Sequence, residues 1–316
     1  MFITVVIPTY YRHKDLCRCL LALADQSRLA DEIIVVVQSA DLETRDLLKD
    51  LSFKELPIQV NLIDIPGQVA ALNAALEVAK GDIIAFTDDD GKPHENWLKL
   101  IEHYFESDPL VGGVGGRDWC YNGTEFDSGM REVVGKIQWF GRIIGNHHLG
   151  AGTSREVDFL KGANMSFRRA AIAHLQFDER LRGTGAQPCN DIAFSLAVKR
   201  AGWKLIYDPA VAIDHYAVNP DNARSYVYTR ETQAFDPKDL INFGYNFFLS
   251  FWEHLSQQSR LAFLGWFVLI GSKNSPGFVQ AIRLTPNLGF LSWQRYIAFQ
   301  KGLITAMYDS LVDKNF

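Results

Sequence analysis

No run of about twenty uncharged apolar residues occurs in the chain, so no transmembrane helix is expected. The longest such stretch covers only residues 261–271. Cysteine is scarce: Cys17, Cys19, Cys120 and Cys189 form no Cys-x-x-Cys pair and lie in no His cluster. That argues against a zinc site or a disulfide framework and leaves them as small apolar residues. A positive charge excess is also missing, with 32 Lys and Arg against 37 Asp and Glu. Nucleic-acid binding runs on clustered Lys and Arg, so no such partner is expected. The opening residues Met1-Phe2-Ile3-Thr4-Val5-Val6-Ile7-Pro8 have no basic segment and no cleavage site. They read as a strand rather than a leader, which sets the expectation of a cytoplasmic protein. There is no internal repeat and no low-complexity tract.

What is present is an ordinary globular composition, 47% hydrophobic and 22% charged over 316 residues. That is enough for one large α/β domain with an appendage. Residues 2–7, 32–37, 58–63 and 82–86 are apolar runs that read as strands. Residues 13–24, 41–51, 67–79 and 95–105 carry helical spacing between and after them. A Gly-rich strand follows at 110–116. Strands alternating with helices of this length imply βαβ units and a mainly parallel sheet. Residues 117–156 are irregular, the kind of long stretch that is functional or mobile. Beyond them lie an amphipathic helix at 191–201 and two short strands at 203–207 and 210–213.

From Leu240 the composition changes. The tail carries a net charge of +3 in a chain of −5 and is crowded with aromatics, among them Phe247, Phe248, Trp252, Trp266 and Phe267. The expected organisation is an α/β domain over 1–225, divided into halves 1–117 and 118–225, and a helical extension over 226–316. Two readings of the tail stay open: helices packed on the domain or against another copy, and helices lying on a membrane. A basic, Trp- and Phe-rich surface favours peripheral contact with the inner membrane face through 240–316.

Phe86-Thr87-Asp88-Asp89-Asp90 is the strongest chemical signal. Three carboxylates follow directly on an apolar strand, and ligands in open α/β sheets bind at the carboxyl ends of strands. Crowded carboxylates raise one another's pKa unless a cation lies among them. A hard divalent ion, Mn²⁺ or Mg²⁺, takes such ligands while also holding phosphate oxygens. An acidic cap for the next helix is the plainer alternative, but a cap needs one Asp and not three. Pro8, Thr9, Tyr10 and Arg12 end the first strand, where a nucleotide would meet the same sheet edge. Asn190-Asp191 opens a helix and, taken alone, reads as an N-cap. Ile213-Asp214-His215 ends a strand on a histidine, which taken alone is more often structural.

Taken together over residues 2–216, these segments resemble the family 2 glycosyltransferases, whose fold is called GT-A. Val5-Val6-Ile7-Pro8-Thr9-Tyr10-Tyr11-Arg12 is similar to the family's first strand and donor-binding turn. Gly67-Gln68-Val69-Ala70-Ala71-Leu72-Asn73 is similar to its third helix. Asp88 and Asp90 match the outer pair of its Asp-x-Asp motif. Lys161-Gly162-Ala163-Asn164-Met165-Ser166-Phe167-Arg168 resembles its acceptor-side segment, and Ala201-Gly202-Trp203 through His215 its closing strand. Two positions depart from the pattern: Gln38 stands near where an acid usually reads the base, and Asn190 replaces the usual Glu before Asp191. A Gln-x-x-Arg-Trp motif is missing, since Trp293-Gln294-Arg295-Tyr296 does not match it, so single transfers are expected rather than polymerisation.

The resemblance implies inverting transfer of a sugar from a nucleoside-diphosphate sugar to an acceptor hydroxyl. A UDP-sugar is the favoured donor, with GDP- and dTDP-sugars as alternatives, and the acceptor is a saccharide or a lipid-linked saccharide in polysaccharide biosynthesis. Asp191 would be the catalytic base. Asp88, Asp90 and His215 would hold Mn²⁺ or Mg²⁺. Pro8, Thr9, Tyr10, Arg12, Gln38, Asn73 and Asp89 would line the donor site, and Trp119, Gly162, Ala163, Asn164 and Asn190 the acceptor side. Aromatics of the irregular loop, Trp119, Tyr121, Trp139 and Phe140, either stack on sugars or belong to the core. A sugar nucleotidyltransferase is a weaker alternative, because Pro8-Thr9-Tyr10-Tyr11 has no glycine for a triphosphate loop. A non-catalytic sugar-binding subunit is weaker too, because all three key acids are kept.

Overall fold

The computed structural model describes residues 1–49, 53, 55–183, 185–216 and 236–312. Strands β1 (Ile3–Thr9), β2 (Glu32–Gln38) and β3 (Ile58–Ile63) alternate with helices α1 (His13–Ala24) and α2 (Leu42–Leu47). Helix α3 (Gln68–Val78) leads to β4 (Ile83–Phe86), and β5 (Gly91–Pro93) precedes α4 (Trp97–Ser107) and β6 (Val111–Cys120). Short strands β7 (Lys136–Ile137), β8 (Ile143–Ile144) and β9 (Arg155–Val157) come next. They are followed by β10 (Met165–Arg168), α5 (Arg169–Ile172), α6 (Asn190–Arg200) and β11 (Lys204–His215). The C-terminal part holds α7 (Pro237–Trp252), α8 (Gln257–Gly265), a π-helical turn (Trp266–Ile270), α9 (Phe278–Leu288) and α10 (Leu291–Val312).

The main sheet runs β3-β2-β1-β4-β10-β6-β11-β5, with β9 also paired to β11. β3, β2, β1 and β4 are parallel, and so are β6 and β11. β10 enters antiparallel between β4 and β6. β1 is extended by β2 on one side and β4 on the other, so the strand order reverses between β1 and β4. A crevice opens outside the carboxyl ends of strands at such a switch point. Pro8–Arg12 and Asp88–Asp90 both leave the sheet there.

Alternation along the strands divides the core into two layers. Ile3, Val5 and Ile7 meet Leu16, Leu20 and Leu23 of α1 and Trp97, Leu98 and Ile101 of α4. Val6, Ile34, Val36 and Phe86 face the other way, toward Leu72 of α3 and Phe194 of α6. The C-terminal helices join this second layer: Phe247, Phe248, Phe251, Phe263 and Phe299 are fully buried. The inner faces of the aromatic tail are therefore core, as the packing reading of the tail expected. The expected boundary at residue 225 lies outside the described residues.

α7 and α10 cross at two glycines. A Cβ on Gly302 would run into the Ile241 carbonyl oxygen, and one on Gly244 would sit against the Phe299 backbone. Gly302→Val should force α10 off α7 and cost about 3 kcal/mol by overpacking. Urea denaturation checks this, and a loss within the roughly 0.5 kcal/mol of an ordinary surface change would contradict it.

Three sequence expectations shift. Residues 203–207 and 210–213 are not two strands but the single strand β11, because its pairing with β6 resumes after an irregularity between Asp208 and Ile213. Pro209 lies in that gap, where its missing N–H leaves no ladder bond broken. The strand expected at 110–116 continues to Cys120, so Trp119 belongs to β6 and not to the irregular stretch. The helix expected from residue 95 starts at Trp97, and the helix expected over 41–51 is the shorter α2.

Candidate active site

The acidic turn is built by three strands. Thr87 N–H donates to the Val6 carbonyl, continuing the β1–β4 ladder, and Gly91 N–H donates to the Asp88 carbonyl, closing a tight turn. β5 then pairs with β11, setting His215 opposite Gly91. Tyr216 N–H donates to the Asp90 carbonyl at 3.0 Å. The carboxyl ends of β4 and β11 thus deliver Asp88, Asp90 and His215 to one point, with candidate ligand atoms all within 4.8 Å of one another. Asp90 Oδ1 lies 3.3 Å from His215 Nε2. Asp90 Oδ1 and His215 Nδ1 are buried without a hydrogen-bond partner among the described residues.

Arg12, which precedes α1, reaches across the turn. Its Nε donates to Asp89 Oδ2 at 3.0 Å and its Nη1 to Asp90 Oδ2 at 2.7 Å. Asp89 is fully buried and pairs with Arg12 through both oxygens. It therefore ties the acidic turn to the β1–α1 corner. Burial pushes the Asp88 carboxyl up to about 6, with the charge of Asp90 adding to the effect. Burial likewise raises Asp89 to about 7 against the pull of Arg12. Asp90 feels the same burial, but His215 and Arg12 override it and hold its carboxyl below the usual range. Burial would lower His215, and the Asp90 charge instead raises it. Three carboxyls share too little positive charge here, which is what an added cation relieves. Two carboxylates and one imidazole are a donor set that fits Mn²⁺ well and Mg²⁺ less well.

The remaining donor-side residues differ in their freedom. Pro8 pairs with Val36 in the sheet, and Thr9 is buried beside Asp89. Tyr10 and Tyr11 project from the corner, and Tyr11 takes a left-handed backbone with φ 54°. Buried Asp41 accepts the Tyr11 N–H at 2.8 Å while capping α2 through the Thr44 N–H. Gln38 Nε2 donates to the Ile65 carbonyl. Asn73 is buried with its amide spent on the Phe177 backbone, accepting at 2.7 Å and donating at 2.9 Å.

The acceptor-side segment is a turn at residues 161–164 held by Asn164. Asn164 Oδ1 accepts the Trp97 indole N–H at 2.9 Å, and its Nδ2 donates to the Val211 carbonyl at 2.8 Å. Ala163 sits in the left-handed region at φ 78°. Gly162 N–H donates to Asp191 Oδ2 at 3.0 Å, while Ile192 N–H donates to Oδ1 at 2.8 Å. The N-cap position belongs to Cys189, which has φ 72° and no capping bond, so Asp191 is not the cap. A helix start favours an ionised carboxylate, but burial outweighs it and raises the Asp191 pKa against Gly162, Ile192 and Lys161. Asn190 donates to Gln68 Oε1 and the Gln187 carbonyl, joining α6 to α3.

One pair escaped the sequence reading. Lys161 Nζ lies 2.7 Å from Asp118 Oδ2, and Asp118 is fully buried. The Lys161 charge acts on both Asp191 and His215, so one ammonium links the base candidate to the acidic cluster. No signal pointed to it, since β6–β10 pairing alone brings residues 118 and 161 together. Trp119 is covered by the Arg117 guanidinium, 3.4 Å from its ring centroid. Phe140 packs on Trp266 with centroids 4.6 Å apart, and Trp139 is exposed. The loop aromatics therefore divide: Phe140 joins the C-terminal helices and Trp139 faces outward.

Comparison with known proteins agrees with this architecture. A glycosyltransferase named AglE from Haloferax volcanii is 30% identical over 101 residues, 31% of this chain and 33% of that protein. A glucosyl-dolichyl phosphate glucuronosyltransferase from the same organism is 22% identical over 231 residues, 68% of this chain and 69% of its own length. The matched segments span about a third of the first three relatives, 33%, 33% and 35%. Among solved structures, S. aureus TarS 1-349 in complex with UDP-GlcNAc shares the fold with a TM-score of 0.57 at 17% identity, covering 98% of this chain and 92% of that one. The mannosyltransferase PcManGT from Pyrobaculum calidifontis, in complex with GDP-Man and Mn²⁺, gives 0.53 at 16% identity over 99% and 88%. The family described as Glycosyl transferase family 2 matches residues 4–175, more than half of the chain. With its GT-A sheet, the chain belongs to glycosyl transferase family 2.

Proposed function

We propose that this enzyme moves a sugar from a nucleoside-diphosphate sugar, a UDP-sugar first, to a hydroxyl of a saccharide or lipid-linked saccharide, inverting the anomeric centre. The observation that carries this is the meeting of Asp88, Asp90 and His215 at the sheet's switch point, with Asp191 held by the Gly162 N–H at the start of α6. The donors named for TarS and PcManGT, and the dolichyl phosphate in two relatives' names, support the substrate classes. Residues 240–316 are the part we assign to the membrane, where a lipid-linked acceptor would be held.

Asp88, Asp90 and His215 would hold Mn²⁺ or Mg²⁺, which when bound neutralises charge on the departing diphosphate. Pro8, Thr9, Tyr10 and Gln38 form the corner that the nucleoside meets. Arg12 keeps Asp89 and Asp90 in place. Asp191 takes the acceptor hydroxyl proton as its oxygen bonds to the anomeric carbon. The bond from that carbon to the phosphate oxygen breaks on the opposite face, and the nucleoside diphosphate leaves with the electron pair.

The active base is the ionised form, so turnover falls as pH drops through the raised Asp191 pKa. The acidic limb of the kcat profile is expected above the ordinary aspartate value of about 3.9. A limb at or below that value contradicts the assignment. A panel of UDP-, GDP- and dTDP-sugars with Mn²⁺ or EDTA, read as nucleoside diphosphate release, tests the reaction. Release from one donor that EDTA abolishes is expected. Equal release in EDTA would overturn the metal-dependent reading.

A further inference from the structure

The outer faces of the C-terminal helices remain apolar after the core is formed. Helix α9 buries only Ala281, while Phe278, Val279 and Ile282 are exposed at 45%, 52% and 50%. Val279 and Ile282 lie on the side turned from Ala281, and Phe278 at its border also packs edge-on against Trp293 and Tyr296 of α10. The π-helical turn just before it exposes Val268, Leu269 and Ile270.

The two runs are neighbours, because a Cβ on Gly277 would lie 2.6 Å from the Ile270 carbonyl carbon. Buried Gln300 of α10 fastens them by donating to the Phe267 and Pro276 carbonyls at 3.0 and 3.2 Å. The apolar surface is thus mounted on a fixed support. Helix α10 carries a further exposed apolar stripe of Ile297, Ile304 and Leu311, with exposed Phe290 just before its start.

The charge along most of this surface has one sign; the exception is Asp309 of α10, which pairs with Arg182 of the α/β domain. Residues 254–308 contain Arg260, Lys273, Arg283, Arg295 and Lys301 and no Asp or Glu. A second copy docking here would set these cations against their own kind, with no acid in the segment to pair them. An anionic bilayer matches both features of this surface, with headgroup phosphates for basic side chains and acyl chains for apolar ones.

We propose that the π-helical turn, α9 and the outer stripe of α10 form a docking surface for an anionic membrane. This deepens the membrane contact assigned under the proposed function, and its chemistry is independent of the donor site. The surface lies flat on the bilayer and does not cross it, since no helix among the described residues is long and apolar enough. Trp266, at the start of the π-helical turn, packs tilted against Phe140, which ties this surface to the β7–β8 hairpin.

Flotation of the full-length protein, without donor, tests the proposal. The vesicles would be phosphatidylcholine alone, or phosphatidylcholine and phosphatidylglycerol in equal parts. The wild type is expected to float with the anionic vesicles and to be released by salt. Val279→Glu with Ile282→Glu should weaken that binding by about tenfold or more, as each loses an inserted apolar side chain. These positions are exposed, so folding, read by circular dichroism, should be unchanged. A wild type that stays with the soluble fraction in both lipid mixtures overturns the proposal, as does a double variant that floats equally well. Sedimentation as a dimer that the same variant dissolves, without vesicle binding, would assign the surface to a second copy instead.

Discussion

Asp191→Asn should lower transfer by at least about a thousandfold while donor binding stays at the wild-type level. The amide cannot take the proton from the acceptor hydroxyl. It also fits its socket badly. Both Asp191 oxygens accept backbone N–H groups, from Gly162 and Ile192, so an asparagine must turn its NH₂ toward one donor. That mismatch costs about 1–3 kcal/mol locally, far from enough to unfold the α/β core. The nucleotide corner at Pro8–Arg12 and the acidic turn belong to other strands and keep their geometry. Turnover and donor affinity measured on one preparation separate the two roles. Near wild-type turnover would remove Asp191 as the base. Loss of donor binding alongside turnover would make it a structural residue.

Asp90→Ala should abolish the metal dependence of donor binding and lower turnover by about a thousandfold, several kcal/mol of lost charge stabilisation. Asp90 is where the cluster's interactions converge. It pairs with Arg12 through Oδ2, faces His215 through Oδ1, and keeps its carboxyl ionised against burial. Without it, the charge that does most to raise His215 is gone, and burial disfavours the imidazolium. Asp88 then has no ionised neighbour with which to share a cation, because Asp89 is committed to Arg12. Donor titrations with Mn²⁺ and with EDTA should give the same weak affinity in the variant. A variant that still binds donor more tightly with Mn²⁺ would show that the cation sits elsewhere.

The strands and the acidic turn could be read directly because their signals are local. An apolar run followed by three acids places both β4 and the acidic turn at its end without reference to any distant residue. β11 was read as two pieces because Pro209 and the irregular pairing around it interrupt the apolar pattern, while the partner that restores the strand, β6, lies about ninety residues away. Asn73 and Asn164 show a different limit. A polar residue near a motif looks the same in sequence whether it meets a ligand or a backbone. Here Asn73 holds the Phe177 backbone, and Asn164 rivets Trp97 to Val211. The Asp118–Lys161 pair and the Gly244–Gly302 crossing are products of tertiary contact alone, so nothing in their own segments announces them. In the tail, aromatic content left both core packing and membrane contact open. The inner aromatics are core, and only the structure shows which apolar residues remain outside.

Calorimetric titration of nucleotide-sugars into the wild-type enzyme, with Mn²⁺ and then with EDTA, tests the central claim most directly. The account predicts binding of one donor, a UDP-sugar first, that depends on the cation. No metal-dependent binding of any UDP-, GDP- or dTDP-sugar would contradict it.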